Sequence, residues 1–455
     1  MKRTIKLAVV AALALGATSA FATNGSTLIG IGAKARGMGG TSIGVGHGAE
    51  SGISNPALIT SIKGNNEVSF GGTIFMPDID TSNGMNLDTS MGGMNPAGTN
   101  HGNLGGTQTS DSDFFVIPAV SLASKVNDNF YWGIGMWGTG GLGVDYRGDA
   151  SHMEMVTALQ TMQFGVPLAY TTNGFSIGIT PIVQYSSLDI SYVLSAPLQN
   201  AMQDSAILQA TGGTMGWSAA LAGGMQGVYD ARMSGPVTIG SGVAQDLSFG
   251  FNIGMAYEIS GFTFGAVYKS EIKFDVDDQL TNAINPMLRG TGMSYTQDQM
   301  ATPEEYGIGI SYNFKGHTLA IDYKNINWED AETYKDFGWE DQDVIAIGYE
   351  YDAGNWAVRC GYQYAESAVQ DNTGKGLALD VVPNLTNTFN MLGFPGTQES
   401  HITFGGSYVF NETISMDLAA VYGLDNEVSY TNFLRQEIKT SHSEESYSIQ
   451  LNYAF

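Results

Sequence analysis

The sequence predicts an all-β fold, a 14-stranded antiparallel transmembrane β-barrel, and three observations carry that expectation. Segments with period-two alternation of apolar and small or polar residues recur along the chain, where helical periodicity does not. Their number is even. The connections between them alternate between tight turns and long excursions, the pattern of single-chain bacterial barrels.

Alternation is plainest at the end of the chain. Tyr447, Ile449, Leu451, Tyr453 and Phe455 share one face, with Ser446, Ser448, Gln450, Asn452 and Ala454 between them. Leu247, Phe249, Phe251, Ile253, Met255 and Tyr257 repeat the pattern, and so do Tyr306 to Phe314 and Ile402 to Phe410. A soluble sandwich would turn such a face inward. Here the opposite face is small or polar, as a lumen requires.

Strands are expected near 67–77, 114–126, 130–146, 161–171, 175–193, 246–258, 262–277, 304–314, 317–327, 342–352, 356–365, 399–410, 414–430 and 441–455. Tight turns fall at Asn127-Asp128-Asn129, Thr172-Asn173-Gly174, Ser260-Gly261, Lys315-Gly316, Ala353-Gly354-Asn355 and Asn411-Glu412-Thr413. Long segments run at roughly 78–113, 147–160, 194–245, 278–303, 328–341, 366–398 and 431–440. All of them then lie at one end.

The start of the chain sets the compartment. Lys2, Arg3 and Lys6 precede an apolar run from Leu7 to Ala17, and Ala20-Phe21-Ala22 forms a cleavage site. Residues 1–22 therefore read as a secretory signal peptide. No mature segment has the apolar length of a transmembrane helix. Charged residues make up only 14% of the chain, against about 25% in typical soluble domains. The formal charge of −25 excludes a nucleic-acid partner, which needs a basic footprint. Acids such as Asp78, Asp80, Asp336, Asp341 and Asp371 fall in expected outer loops, and the single Cys360 reads as a small wall residue.

Three regions break the strand pattern. Residues 23–62 are rich in glycine and small residues and could plug the lumen ahead of a barrel at 63–455. Residues 198–233 read as helix inside an outer loop, with Met202, Ile207, Leu208 and Leu221 on its apolar face. Leu280 to Met300 reads as partly helical.

Chemical motifs are scarce. Gly30 to Ala35 loosely matches a dinucleotide fingerprint and Gly40 to Gly44 a nucleophile elbow, but neither has the buried strand that must precede it. Asp78-Ile79-Asp80 begins like a calcium loop and fails at Asn83 and Thr89. The six histidines have no metal-ligand spacing, and no His pairs with a nucleophile. No enzyme activity, metal or cofactor is expected. A terminal Phe455 on an aromatic strand is similar to the signal read by the barrel assembly machinery.

Ser54-Asn55-Pro56-Ala57-Leu58-Ile59-Thr60, preceded by Ala35-Arg36-Gly37-Met38-Gly39-Gly40, resembles the hatch of the long-chain fatty acid transporter (FadL) family. The likeness continues through Asn127-Asp128-Asn129-Phe130, Trp132-Gly133, Gly141-Leu142, Tyr268 to Lys273 and Asn452 to Phe455. It implies a bacterial outer-membrane protein with residues 23–62 as a hatch inside the barrel. It implies a hydrophobic small molecule caught between the loops 194–245 and 278–303, passed to an apolar pocket and released sideways through the wall. The opening would fall at a kink of the third strand, at Gly138, Gly140 and Gly141, with Asn55, Pro56 and Ala57 as the hatch motif beside it.

Fatty-acid members carry bases along and after the fifth strand, whereas Tyr185 to Tyr192 holds none. Lys269, Lys273 or Arg289 could instead meet a ligand carboxylate, so fatty acid and neutral hydrocarbon both stay open. The remaining partners implied are outer-membrane lipid and lipopolysaccharide, with the barrel a monomer. A general diffusion porin is the alternative, and it would show no plug and an eyelet of inward charges. An outer-membrane enzyme or adhesin is a third reading, and it would need convergent catalytic groups.

Overall fold

The computed structural model describes residues 24–87, 102–202, 235–289 and 291–455. The signal segment, and Ile207, Leu208 and Leu221 of the expected outer helix, lie outside the described residues.

Fourteen staves form one closed antiparallel wall. The first is β1 (Asn66–Asn83); β2 (Gly106–Thr109) and β3 (Phe115–Lys125) make the second, and β4 (Phe130–Asp145) the third. The fourth is β5 (Val156–Gly165) with β6 (Leu168–Thr172), and the fifth is β7 (Phe175–Leu194). The sixth joins β8 (Val237–Gly240) to β9 (Ala244–Ile259), and the seventh β10 (Phe262–Lys269) to β11 (Ile272–Asp275). The eighth joins β12 (Gln299–Thr302) to β13 (Glu305–Phe314). Single strands complete the count: β14 (His317–Ile326), β15 (Gln342–Asp352), β16 (Trp356–Ala365), β17 (Ser400–Val409), β18 (Ile414–Thr431) and β19 (Glu437–Ala454). β1 pairs with β19 from Glu67↔Ala454 to Asn83↔Ile438, so the first and last strands close the sheet on itself.

The alternation decides which face meets lipid. Leu247, Phe249, Phe251, Ile253, Met255 and Tyr257 of β9 are exposed on the outside, while Ser248, Asn252 and Ala256 are buried within. Aromatics collect in two outward bands. One lies at the short-turn end, with Phe130, Tyr170, Phe262, Tyr312, Trp356, Tyr408 and Tyr453; the other holds Tyr268, Tyr306, Tyr323, Tyr362 and Tyr447. Three of the short turns, Asn173-Gly174, Ser260-Gly261 and Lys315-Gly316, have positive φ at both residues. That is the mirror-image turn whose twist suits a two-residue hairpin.

The staves differ from the expected ones at their ends. β1 runs to Asn83, β18 and β19 nearly meet, and β2, β8 and β12 extend staves into expected loops. These extensions turn polar residues such as Asp78, Asp80 and Ser82 outward, so the apolar outer face that marks a strand in lipid disappears. Asp78 and Asp80 are therefore exposed strand residues, not loop acids. The fourth stave also breaks at Val166-Pro167, because proline offers no ladder N–H.

Helices are few and short: α1 (Ala33–Gly37), α2 (Ser51–Ser54), α3 (Gln279–Ile284) and α4 (Leu385–Gly393). Residues 196–202 are helical as well, and a 3-10 turn spans Pro56–Ser61. α4 occupies the segment expected to be plain loop. Its Leu385, Phe389 and Leu392 are spaced i, i+4 and i+7, and all are buried.

Residues 24–62 pack against the inner face of the wall, and glycines make the fit possible. A Cβ on Gly265 would lie 1.8 Å from the Ile43 carbonyl oxygen, and one on Gly254 would lie 2.0 Å from Asn55 Oδ1. At such seats the segment touches bare strand backbone, and any side chain would push it off.

Candidate functional site

A break in the wall lies between the second and third staves. β3 and β4 pair from Lys125↔Tyr131 up to Ala119↔Trp137 and no further. Beyond Trp137, β4 keeps only its partner β5, with a register shift between Gly138 and Gly140. Alternation ends at the same point, and residues from Leu142 to Asp145 are all buried. β4 therefore bends into the lumen. The wall closes again above, where Asp111 N donates to the Asp145 carbonyl at 2.9 Å and Asp145 N donates to Ser110 Oγ at 3.0 Å. The result is a window bounded on all sides.

The start of the described chain stops this window from within. Thr27 bridges to Gly140. Gly141 N donates to the Ser26 carbonyl at 2.9 Å, and Leu28 N donates to the Thr139 carbonyl at 3.3 Å. Leu28 packs with Phe75, Phe115 and Ile117, and Ile117 leans over Gly138. Strand groups that lost their neighbour thus find backbone partners.

Above the window the lumen is apolar. One continuous cluster joins the outer helices to the bent strand, from Leu280, Ile284 and Leu288 around α3 and from Phe389 and Leu392 of α4 to Met155, Leu159, Leu142 and Val144. Met202 is partly buried against it. Polar atoms within it are satisfied: Tyr192 Oη donates to the Ala283 carbonyl at 2.6 Å, and Trp339 Nε1 donates to Asn390 Oδ1 at 3.0 Å. Trp328, Tyr334 and Trp339 pack ring against ring at 4.6–5.0 Å, the first two edge to face, and Tyr334 Oη donates to Ser26 Oγ at 3.3 Å. The apolar cluster and the stopper are in contact.

The expected site residues fall into place unevenly. Asn55 is fully buried and its Nδ2 donates to the Ile43 carbonyl at 2.8 Å and the Met255 carbonyl at 3.2 Å. Its Oδ1 accepts from Ala57 N at 3.1 Å. Pro56 and Ala57 seat against Gly178 of β7, and Gly254 of β9 faces Asn55 and Pro56. The motif thus docks on the fifth and sixth staves, away from the glycine run. Ser26 to Leu28, which carry no recognisable motif, occupy that place.

The three expected carboxylate partners are also displaced from the apolar cluster. Lys269 pairs with Glu305 at 2.8 Å, and Lys324 approaches the same carboxylate at 3.5 Å. They border a cavity of about 90 Å³ between the segment and the wall, together with Ser26, Thr139 and Gln163. Lys273 lies between Glu332 at 2.8 Å and Glu271 at 3.5 Å. Arg289 is exposed.

The strongest single anchor of the N-terminal segment is Asp322, which sequence reasoning missed. Its Oδ2 accepts from Ser42 N at 2.6 Å and Ile43 N at 2.7 Å, and its Oδ1 accepts from Gly44 N at 3.2 Å. Within the segment, burial raises the Glu50 carboxyl to about 8. Burial likewise lowers the His47 imidazole to about 4. Released into water, Glu50 would titrate near 4.5. The released state thus loses a proton that the docked state keeps, and docking weakens as pH rises through that window. Below 6.5 the released His47 imidazole takes up a proton and offsets the Glu50 effect, so proteolysis of the segment should accelerate between pH 6.5 and 8 and then level off. Glu50→Gln should flatten the profile; an unchanged slope in that variant would assign it elsewhere.

The family model for outer membrane protein transport proteins (OMPP1/FadL/TodX) matches residues 7–455. A long-chain fatty acid transport protein of Escherichia coli O6:H1 is 26% identical over 418 residues, covering 83% of this chain and 81% of that protein. A solved Pseudomonas aeruginosa FadL homologue has a TM-score of 0.67 at 14% identity, over 95% of this chain and 100% of that one. The Pseudomonas putida toluene transporter TodX has a TM-score of 0.61 at 20% identity, over 94% and 99%. The two solved structures share the fold, and the family match runs through window, stopper and wall alike. The chain belongs to the OMPP1/FadL/TodX family of outer-membrane transport proteins.

Proposed function

We propose that this barrel carries hydrophobic small molecules, long-chain fatty acids or hydrocarbons, across the outer membrane and releases them sideways through the window. The observation that carries the reading is the continuous apolar cluster from α3 and α4 to Leu142, Val144 and Leu159 beside the bent strand. A hydrophobic ligand gains about 0.8 kcal/mol per CH₂ on leaving water, so a dry, greasy passage draws it in where an aqueous pore would not. The relatives' names cover both ligand kinds, a long-chain fatty acid transport protein and a toluene transporter.

In this reading residues 23–62 are the hatch, and capture occurs where Met202 and Leu198 pack near α3. Ser26 to Leu28 act as the gate: when they leave Gly140 and Gly141, the apolar passage opens onto lipid. Asn55, Pro56 and Ala57 hold the hatch to β7 and β9 while that happens. The outward aromatic bands sit in outer-membrane lipid and lipopolysaccharide. Phe455, which exchanges backbone hydrogen bonds of 2.9 Å with Asn66, addresses the chain to the barrel assembly machinery and seals the seam. A barrel closed in this way functions as a monomer.

Met155→Glu tests the passage. Met155 is fully buried in the cluster, and an unpaired carboxylate there costs several kcal/mol and draws water in. Uptake of a labelled hydrophobic ligand by cells bearing the variant should fall at least about tenfold, a barrier change of about 1.4 kcal/mol. Heat-modifiability of the barrel on gels should be unchanged. Uptake at the unsubstituted level would show that ligand does not travel through this cluster.

A further inference from the structure

The charges along this route bear on what can travel it. At the upper rim of the window, where Asp111 and Asp145 close the wall, lies a recess of about 410 Å³, lined by Phe114, Phe115, Val156 and Ala158 and by five ionisable residues. Four of these are Asp111, Asp113, Asp145 and Asp189, and the fifth is Arg147. The Arg147 guanidinium is already held by Asp145, with Nε 2.9 Å from both carboxylate oxygens. Asp111, Asp113 and Asp189 remain as uncompensated lining charge. Asp189 lies on β7, half-buried, within the fifth-stave stretch that carries no base.

The interior tells the same story. Lys269 and Lys324 share Glu305, and Lys273 lies between two glutamates. Lys34 faces Asp417 at 3.7 Å, and Arg359 pairs with Glu350 at 2.5 Å. Arg36 donates to the Gly30 carbonyl at 3.3 Å and Ser446 Oγ at 2.5 Å, in the field of Glu444. A ligand carboxylate passing the lysines or Arg359 would have to displace a resident acid, and Arg36 is held by neutral partners within the N-terminal segment and the wall. At the recess it would meet further acids in a partly apolar setting, where like charges repel most.

Resting on the transport reading above, we infer that this barrel selects uncharged apolar molecules, hydrocarbons or neutral esters, and excludes carboxylates of the same chain length at the recess formed by Asp111, Asp113 and Asp189. A neutral ligand experiences the recess through Phe114, Phe115, Val156 and Ala158, and the acids leave it unaffected. An anion is turned back at its last step, after the apolar passage has accepted its tail.

Labelled methyl palmitate and labelled palmitate differ in a single charge and separate the possibilities. Initial uptake at pH 7 is measured in cells lacking their own fatty-acid transporter and expressing the full chain. The ester should enter well above the empty-vector rate and the acid close to it. In the combined variant Asp111→Asn, Asp113→Asn, Asp189→Asn, the ratio of acid to ester uptake should rise roughly tenfold as the repulsion is removed. Equal entry of acid and ester through the unsubstituted barrel would overturn the inference and leave the transport reading standing. Exclusion of the acid that persists in the triple variant would place selection elsewhere and refute the role of the recess. If neither compound enters above vector, the transport reading itself fails, and the inference with it.

Discussion

Replacing Asp322 with Ala should release residues 42–44 from the wall while leaving the barrel folded. Three backbone amides lose a charged acceptor at once, at 2.6, 2.7 and 3.2 Å. Hydrogen bonds to a charged group contribute roughly 1.5–3 kcal/mol each, so docking of the segment weakens by on the order of 5 kcal/mol. The wall loses little, because residue 322 keeps its ladder with β13 and β15. Trypsin reaches Lys34 and Arg36 only when the segment opens, and cleavage follows the open population when opening is fast. Purified barrel carrying the variant should be cut at those positions at least about a hundredfold faster. Planar-bilayer recordings should show longer conducting events. Asp322→Asn, with one acceptor oxygen left, should fall between. Cleavage at the unsubstituted rate would mean that the segment is held by its glycine seats alone.

The second large effect is expected at Gly140. From sequence alone, a β-branched residue there should regularise the third stave and narrow the opening. The structure reverses that expectation. A Cβ at 140 would lie 2.3 Å from the Ser26 carbonyl oxygen, a backbone atom that cannot rotate away. Gly140→Val should therefore expel Ser26 to Leu28, breaking their 2.9 and 3.3 Å bonds to β4 and exposing Leu28. A cysteine placed at Leu28 should then react with a water-soluble maleimide roughly tenfold faster or more, a shift of about 1.4 kcal/mol in the closed state. Ligand uptake should rise with it, since the gate no longer rests shut. Gly406→Ala is the control, because a Cβ there meets only the Ala357 carbonyl at 3.3 Å. Faster labelling without faster uptake would separate the stopper from transport and remove it as the gate.

The parts of this fold legible in the sequence were those where lipid imposes a pattern. Leu247 to Tyr257 alternate because every second residue meets hydrocarbon, and the same pressure marks fourteen staves. Above the lipid that pressure stops, so Asp78 to Asn83 and Glu437 to Thr440 could not be assigned as strand from alternation. The glycine run at 138–141 announced an irregular strand, and β4 does lose its partner there. What fills the break was illegible, because Ser26 to Leu28 bind through backbone atoms that any residue supplies. Asn55 was visible as a buried polar group in need of partners, but its seat was not, since Gly254 and Gly178 look like ordinary small strand residues. Lys269 and Lys273 looked available to a ligand until Glu305 and Glu332 were found beside them. The spacing of Leu385, Phe389 and Leu392 did signal α4 and passed unused, because a nine-residue helix is short for a periodicity test.

The bare glycine seats also limit how far anything inside the lumen has to move. Gly37 and Gly405 approach so closely that a Cβ on either would lie 3.0 Å from the other's Cα, and Gly39 and Gly44 meet wall backbone in the same way. At these seats no flexible side chain stands between the segment and the wall to stretch and keep the joint tight. A rigid joint of this kind has no slack: separating two peptide planes by about the width of one water molecule, whose radius is about 1.4 Å, already wets it. In the gating proposed above, the stroke that unseals these seats is set by the size of water and not by the size of the cargo.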